Sequence, residues 1–323
     1  LGGALYIDSE DGTTGLLTLS GVTFTNNTAG HMGGAIRTNV PVQSQDDTFT
    51  GNVSKDGGGI AQTANSGYVS IDGSYFRNND ATVTASGSGG AVFSTGTVTA
   101  TASTFKDSNG HFGGALSADS TITLDQSLFD HNSSDFYGGA VYTKRTVTST
   151  DATFTNNSAA RRGGAIAGKQ GVVLTDSVFQ GNLSGDATTT DATNTGASGG
   201  AAHSQLGNIT VTGGSFANNM ASGSGGALWA ADSITTSDAT FTGNHAAWDG
   251  GALIAAHDAT VTNSSFVENV ANGYVGGAIS AGWGAHVAYS SFNDNYAHYG
   301  GGAIDVFSGQ LGVTNSTLYN NAA

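Results

Sequence analysis

The chain has 323 residues, of which 51 are glycine, 10% are charged and none is cysteine, so the sequence excludes a disulfide framework and a thiolate metal site. Nine Lys and Arg stand against 24 Asp and Glu, and the resulting net charge of −15 argues against nucleic acid as a partner, because phosphate binding needs clustered cations. No apolar run approaches the ~20 residues of a membrane span, so we expect no membrane insertion.

A pair of glycines, followed by a small residue and in most copies an aliphatic one, recurs twelve times along the chain. The first glycines of these pairs are Gly2, Gly33, Gly57, Gly89, Gly113, Gly138, Gly163, Gly199, Gly225, Gly250, Gly276 and Gly301. Most spacings are 24 to 26 residues, and three are longer, at 31, 32 and 36. Such self-similarity at a fixed period indicates a repeat architecture.

A second motif, Phe-x-x-Asn, alternates with the glycine pairs. Its members are Phe24/Asn27, Phe49/Asn52, Phe76/Asn79, Phe129/Asn132, Phe154/Asn157, Phe179/Asn182, Phe216/Asn219, Phe241/Asn244, Phe266/Asn269 and Phe292/Asn295. Phe105 is followed instead by Ser108 and Asn109, and Leu318 replaces the ring in the last copy. Each Phe closes an eight-residue window whose first and third positions are mostly aliphatic and whose fifth favours Asp, Asn or Gly. That alternation predicts a strand, and the fifth position predicts a turn.

About 25 residues with two or three short strands and glycine-marked corners describe one coil of a parallel β-helix. We therefore predict an all-β chain of one domain, residues 1–323, with about twelve coils and a length of about 58 Å at the usual strand spacing. Loop insertions are predicted near residues 8–15, 80–88 and 183–198. The phenylalanines should stack inside as one ladder, and the asparagines should form a second ladder of side-chain amides that satisfies buried backbone groups.

The combination of GGA[ILV] and FxxN, over essentially the whole chain, resembles the repeats of the chlamydial polymorphic outer membrane proteins and similar bacterial surface proteins. The resemblance implies a right-handed coil and an extracellular or cell-surface location. It also implies an adhesive function, since known members of that family are adhesins. We accordingly expect a non-catalytic structural or adhesive protein whose partner is a glycan or a cell-surface protein.

Aromatic residues are predicted to line one outer face. The residue after each inward aliphatic should point outward, and the corner just before the glycine pair should be exposed. The candidate contact face comprises Tyr6, Phe93, Tyr142, Trp229, Tyr137, Trp248, Tyr274 and Tyr299. A row of exposed rings is typical of a surface that stacks on sugars or contacts protein, although rings that merely fold over neighbouring coils would give the same sequence.

Polysaccharide lyases and hydrolases also use parallel β-helices, so an enzyme is the alternative function. Asp151 and Asp176 occupy the same window position in successive coils, about 4.8 Å apart, but the Asp/Asn/Gly set at that position favours a turn. Lys144, Arg145, Arg161, Arg162 and Lys169 cluster over two coils, as an anionic-glycan patch, as a contact for an acidic neighbour or as a solvated face. The histidines show no metal-ligand spacing. We predict no catalytic residue, no metal and no cofactor.

Two further predictions concern threonine and the chain ends. Thr-x-Thr pairs such as Thr97–Thr99 and Thr210–Thr212 raise an ice-binding alternative, but the matching windows vary along the sequence. Leu1 to Leu5 and Leu318 to Ala323 are both in repeat format, without a visible cap. We therefore expect the coil to continue, either within a longer polypeptide or by head-to-tail stacking of chains into a filament.

Overall fold

A computed structural model describes residues 2–9, 15–64, 67–82, 87–185 and 196–323 as a right-handed parallel β-solenoid. The prediction of an all-β parallel β-helix is confirmed. Every pairing between the described strands is parallel and joins one coil to the next, as in Phe129↔Phe154 and Val141↔Ile166. Residues 10–14, 83–86 and 186–195 of the three predicted insertions lie outside the described residues, as does Leu1.

Three sheets of twelve strands run the length of the rod. Sheet A contains Leu5–Ile7, Ile36–Thr38, Ile60–Gln62, Val92–Ser94, Leu116–Ala118, Val141–Thr143, Ile166–Gly168, Ala202–Ser204, Leu228–Ala230, Leu253–Ala255, Ile279–Ala281 and Ile304–Val306. Sheet B contains Leu17–Ser20, Val42–Gln45, Tyr68–Asp72, Thr97–Thr101, Ile122–Asp125, Thr146–Thr150, Gly171–Thr175, Ile209–Thr212, Ile234–Ser237, Asp258–Thr262, Gly284–Ala288 and Gln310–Thr314. Sheet C contains Thr23–Thr25, Thr48–Thr50, Tyr75–Arg77, Thr104–Lys106, Leu128–Asp130, Thr153–Thr155, Val178–Gln180, Ser215–Ala217, Thr240–Thr242, Ser265–Val267, Ser291–Asn293 and Thr317–Tyr319.

A fourth sheet, which the sequence analysis did not anticipate, links the asparagine corner to the next glycine pair. Its nine strands are Asp80–Ala81, Asn109–Phe112, Ser133–Tyr137, Ser158–Ala159, Leu183–Ser184, Met220–Ala221, His245–Ala246, Val270–Ala271 and Tyr296–Ala297. The expectation of two or three strands per coil is therefore corrected to four in most coils. Most of these strands have two residues, too few for the alternation that marks a strand in sequence.

The phenylalanines form a continuous stack inside the rod. Successive ring centroids are 4.6 to 5.0 Å apart, with interplanar angles of 15° or less. The stack comprises Phe24, Phe49, Phe76, Phe105, Phe129, Phe154, Phe179, Phe216, Phe241, Phe266 and Phe292. Nearly all of these rings are fully buried, and aliphatic side chains of sheets A and B fill the rest of the core. Each ring covers its neighbours on both sides, so removing one opens a cavity in the middle of the stack.

The asparagines form a second buried ladder at the corner after sheet C. The Nδ2 group of Asn157 donates to the Phe129 carbonyl at 2.9 Å and to Asn182 Oδ1 at 3.0 Å. In turn, its Oδ1 accepts from the backbone and side-chain nitrogens of Asn132 at 3.0 Å each. Each interior amide therefore connects three consecutive coils.

The same pair of bonds recurs along the rod. An Nδ2 group donates to the Oδ1 of the next asparagine at 2.8 to 3.0 Å and to the carbonyl of the phenylalanine one coil earlier at 2.8 to 3.0 Å. Both bonds are made by Asn52, Asn132, Asn157, Asn182, Asn219, Asn244, Asn269 and Asn295. These amides thus satisfy carbonyl groups that the corner would otherwise bury without partners.

Two places depart from the regular ladder. Asn27, in the first coil, is only half-buried, and among the described residues its Nδ2 group donates to Asn52 alone, so the expectation that it satisfies a buried backbone group is corrected. Ser108 replaces asparagine in one coil, where the Nδ2 group of Asn79 keeps its bond to the Phe49 carbonyl but has no amide partner in that next coil. The ladder is therefore incomplete at its N-terminal end and interrupted once inside.

Backbone geometry explains the turn residues and the glycine pairs. The fifth window position adopts positive φ whether it is Asp or Gly, with φ of 49° at Asp151 and 56° at Gly73, so the prediction of a turn there is confirmed. In the pairs, the first glycine also has positive φ, as at Gly113 (65°). A Cβ on the second glycine, Gly114, would lie 2.1 Å from the Gly139 carbonyl oxygen. Glycine is therefore required at the first position by the positive φ and at the second position because there is no space for a Cβ.

Candidate functional site

The outer face of sheet A varies from coil to coil. We call it face A and define it by the middle residues of the sheet A strands together with the two corner residues that precede each glycine pair. The middle residues are Tyr6, Arg37, Ala61, Phe93, Ser117, Tyr142, Ala167, His203, Trp229, Ile254, Ser280 and Asp305. Corner residues contact this row; Phe112, for example, lies 5.0 Å from the Tyr142 ring. Face A thus consists of a strand row and a corner row whose side chains contact each other.

An aromatic cluster occupies the middle of face A. Phe112 contacts Phe136 and Tyr142, with centroid distances of 5.3 and 5.0 Å. Tyr137 contacts Phe136 at 4.2 Å and Tyr142 at 6.2 Å. All four rings are half-buried, and burial raises the pKa of the Tyr142 hydroxyl. Tyr137 and Tyr142, two of the predicted contact residues, therefore belong to one patch, and partial mutual covering leaves one surface of that patch open to solvent.

Two of the five clustered cations join this aromatic patch. The guanidinium of Arg161 lies 4.7 Å from the Phe136 ring centroid, and that of Arg162 lies 5.4 Å from the Tyr137 centroid. Lys144, Arg145 and Lys169 follow the other ends of the sheet A strands, and Lys144 pairs with Asp119 at 2.6 Å. The predicted cation cluster is therefore split between the two edges of face A, and the edge formed by the arginines carries the cation–π contacts.

A cavity of about 100 Å³ lies next to Arg162. It is lined by Arg162, Gly196, Ala197, Ser198, His203, Ser224, Trp229 and Trp248. His203 is 2% exposed and stacks on Trp229 with centroids 4.4 Å apart. Its Nδ1 is paired with Ser198 Oγ at 3.0 Å, whereas its Nε2 is buried without a hydrogen-bond partner. Burial, and secondarily the Arg162 charge, holds the pKa of His203 well below 6.5, so the ring is neutral at neutral pH.

The C-terminal part of face A is acidic and more exposed. A cavity of about 510 Å³ is lined by Asp249, Tyr274, Val275, Ser280, Asp305, Val306 and Phe307. Burial raises the pKa of both Asp249 and Asp305, and the Asp305 charge adds to the effect on Asp249. Tyr274 and Tyr299 lie 6.2 Å apart and are 53% and 71% exposed. Trp248 lies between the two regions, lining one cavity with His203 and another with both tyrosines.

The remaining predicted contact residues lie outside these regions. Tyr6 is in the first coil, where its hydroxyl donates to Asp8 at 2.8 Å and its ring lies 5.5 Å from the Arg37 guanidinium. Phe93 pairs in register with the small residues Ala61 and Ser117 and has no ring contact with a described residue. The eight residues proposed from sequence thus form a central pair (Tyr137 and Tyr142), a pair at the small cavity (Trp229 and Trp248), a C-terminal pair (Tyr274 and Tyr299) and two outliers.

The ladder asparagines lie away from face A and do not reach its cavities. All of them except Asn27 are buried, with at most 1% of the residue exposed, and their amide groups are occupied by one another and by backbone carbonyls. The buried members are Asn52, Asn79, Asn132, Asn157, Asn182, Asn219, Asn244, Asn269 and Asn295. Their position suits them to hold the corner together and leaves no polar group for a ligand.

The structure also shows where the residues considered for catalysis and metal binding lie. Asp151 and Asp176 are exposed turn residues with φ of 49° and 47°. The Ser198–His203 pair resembles part of a catalytic triad, but no described carboxylate meets the free His203 Nε2. Among the described residues, no group of three or more His, Asp or Glu is arranged to hold a metal. In the same residues no helix is long and apolar enough to cross a membrane.

Two rows rich in threonine run along the outer face of sheet B. In seven consecutive coils one outward row reads Thr99, Thr123, Thr148, Val173, Thr210, Thr235 and Thr260, and the adjacent row reads Thr101, Asp125, Thr150, Thr175, Thr212, Ser237 and Thr262. Threonine fills both rows in four of these seven coils, whereas Asp125, Val173 and Ser237 interrupt the rows in the other three. The windows therefore vary, as the sequence indicates.

Comparison with known families gives two matches. Residues 4–186, more than half of the chain, match the family described as right handed beta helix region. Residues 238–255 match the Chlamydia polymorphic membrane protein repeat. Neither the comparison with curated proteins nor that with solved structures gives a match.

Proposed function

The chain belongs to the right-handed β-helix family, and from that premise we propose that it is a non-catalytic cell-surface protein that binds its partner through face A. The observation that carries the proposal is the contrast between an interior that repeats and a face that does not. The match to a polymorphic membrane protein repeat supports the surface location. Because β-helices support both enzymes and binding proteins, the proposal rests on the site and not on the fold.

The chemistry of face A is typical of a recognition surface. Half-buried rings at Phe112, Tyr137 and Tyr142 are already partly desolvated and held by neighbours, so a partner covers them at little cost in side-chain entropy. Arg161 and Arg162 add charged donors at the rim of the same patch. Aromatic residues and arginine are the residue types that dominate binding energy at interfaces.

Binding of the labelled chain to intact cells and to a glycan array tests the proposal. The double variant Tyr137→Ser with Tyr142→Ser should lose at least tenfold in retained signal. The matched control is Tyr68→Ser with Tyr75→Ser, which removes two half-buried tyrosines from sheets B and C. An equal loss in both variants, or no retention of the unmodified chain on any surface, contradicts the proposal.

The threonine rows favour a second candidate function, binding to ice. Adjacent coils repeat about every 4.8 Å, and alternate residues of a strand repeat about every 6.7 Å, so the threonines present hydroxyl and methyl groups at regular spacings, interrupted at Asp125, Val173 and Ser237. Hexagonal ice has oxygen repeats close to both distances, and β-branched side chains hold their rotamers in place. The regularity is particular to sheet B, because the equivalent row of sheet C reads Lys106, Asp130, Thr155, Gln180, Ala217, Thr242 and Val267.

Thermal hysteresis and inhibition of ice recrystallisation test this second candidate. Thr148→Lys places a charge in the middle of the threonine rows and should reduce the hysteresis several-fold. Thr155→Lys, on the neighbouring sheet C, is the matched control and should leave it unchanged. A chain that shows no hysteresis at high concentration is not an ice binder. Head-to-tail self-association stays a separate prediction, which light scattering over a concentration series tests.

A further inference from the structure

We propose that the cavity between Arg162 and the indoles of Trp229 and Trp248 binds the anionic group of a charged sugar. The inference rests on the proposed function, since this cavity lies on face A, and it names the class of ligand. The cavity is bounded by residues of four successive coils, from Arg162 and His203 to Trp229 and Trp248. Its lining is therefore brought together only by coil stacking.

The polar groups of the lining favour an anion. Arg162 uses its Nε to donate to the Gly196 carbonyl at 3.4 Å and forms no ion pair with a described carboxylate, so its terminal nitrogens remain for a ligand. Ser224, Trp229 and Trp248, whose hydroxyl and indole N–H groups are donors, also line the cavity. Among the residues that the structure describes, the lining includes no Asp or Glu. Such a set of donors, with no described acid beside it, matches a carboxylate or sulfate group.

The buried and unpaired Nε2 of His203 is a second, independent observation that favours a ligand in this cavity. A buried polar atom without a partner costs about 1–3 kcal/mol, so such atoms are rare in native structures unless a ligand or water completes them. Its Nε2 is such an atom, whereas Nδ1 is fixed by Ser198 and the ring by Trp229. In the tautomer in which the Ser198 hydroxyl donates to Nδ1, the proton is on Nε2, and His203 is a neutral donor in the lining of the cavity. It would bind an anion without itself being charged.

Size and surroundings favour a sugar acid over a polyanion or a peptide. A volume of about 100 Å³ admits a carboxylate or sulfate group and excludes the ring that carries it. That ring would lie at the mouth, against the half-buried indole of Trp248, which suits stacking on the apolar face of a pyranose, whereas the Trp229 indole already stacks on His203. The net charge of −15 opposes a densely charged polymer, so isolated acid groups are the better match.

Titration calorimetry with glucuronic acid, glucose 6-sulfate, glucose and an N-acetylated glutamate peptide tests the inference. Glucuronic acid or glucose 6-sulfate should bind at least tenfold more tightly than glucose, and whichever binds identifies the anionic group. The heat should be accompanied by a change in indole fluorescence that persists in Trp283→Phe, because Trp283 stacks on His257 at another corner. Equal binding of glucose, or binding of the peptide alone, overturns the proposal.

Two variants assign the binding to this cavity. Arg162→Gln should weaken binding of the charged sugar at least tenfold, whereas Arg145→Gln, an exposed arginine at the other edge of face A, should not change it. His203→Gln should also weaken binding, provided that its circular dichroism shows a folded chain. Unchanged affinity in Arg162→Gln overturns the proposal. If the tyrosine variants still abolish retention on cells while no sugar acid binds, the cavity proposal fails and the proposed function stands.

Discussion

The phenylalanine and asparagine ladders and face A are built from the same coils but follow opposite rules. Inside, the phenylalanines stack in almost identical geometry from Phe24 to Phe292. Outside, Tyr142, Ala167, His203 and Trp229 follow one another at the same position of sheet A. The interior is uniform because each residue packs against its own equivalents in the coils above and below, whereas an outward side chain has no such constraint.

This contrast separates the ladder residues, which stabilise the rod, from the residues of face A, which give it a specific surface. A change at one ladder position affects the coils on both sides, so its cost is large and independent of any partner. A change on face A affects binding and has a small effect on folding unless the side chain is buried. The predictions below test that separation.

The largest effect is expected inside the ring stack. Phe154→Ala should lower the free energy of unfolding by about 3–5 kcal/mol, because the ring is fully buried between Phe129 and Phe179 and leaves a cavity that they cannot fill. The control is Tyr299→Ala, which removes a ring that is 71% exposed on face A and should change stability by less than about 0.5 kcal/mol. Denaturant unfolding measures both, and similar losses would contradict the separation.

The amide ladder should be next in sensitivity. Asn157→Ala should cost about 1–3 kcal/mol, because it leaves the Phe129 carbonyl and the Asn132 amide without their buried partners. Asn156→Ala provides a control one position earlier, outside the ladder, although its φ of 54° adds a strain of about 1 kcal/mol. Thermal unfolding that ranks Asn156→Ala above Asn157→Ala would show that the ladder is not stabilising.

Placing an asparagine in the gap of the ladder, at Ser108, should stabilise the chain. Ser108→Asn should raise the free energy of unfolding by about 1 kcal/mol, because the new amide would continue the hydrogen bonds between Asn79 and Asn132. Ser94→Asn, at another fully buried serine outside the ladder, should destabilise the chain by overpacking. A lower melting temperature for Ser108→Asn would mean that the residues around Ser108 leave no room for an amide, so that packing outweighs the added hydrogen bonds.

The smallest effect concerns pH and distinguishes face A from the ladders, which contain no titratable side chain. Because burial holds the pKa of His203 below its ordinary 6.5, the unfolded state binds a proton that the folded state does not. Stability should therefore fall as the pH is lowered from 7 toward 5. The fall in melting temperature should be smaller in His203→Gln, since the other histidines contribute equally to both proteins. An identical pH profile would mean that His203 is protonated without cost.

Much of face A could be anticipated from single positions, but its groupings could not. The sequence indicates that Tyr137, Tyr142 and Trp229 point outward, because their place in the repeat is known. It left His203 among scattered histidines, although its position directly after Ala202 corresponds to those of Tyr142 and Trp229 and was a usable signal. That Arg162 and Trp248 line one cavity follows from corner geometry across several coils, which no local pattern encodes.

The sequence alone determined the parallel β-helix, its period and its turn residues. It could do so because the requirements of each coil are local: a positive φ, a space without a Cβ and an inward apolar side chain recur in fixed order. Only the tertiary structure decided the fourth sheet and the cavity beside His203. These depend on the register between coils separated by corners of unequal length, where neighbours in space are 24 to 37 residues apart in the chain.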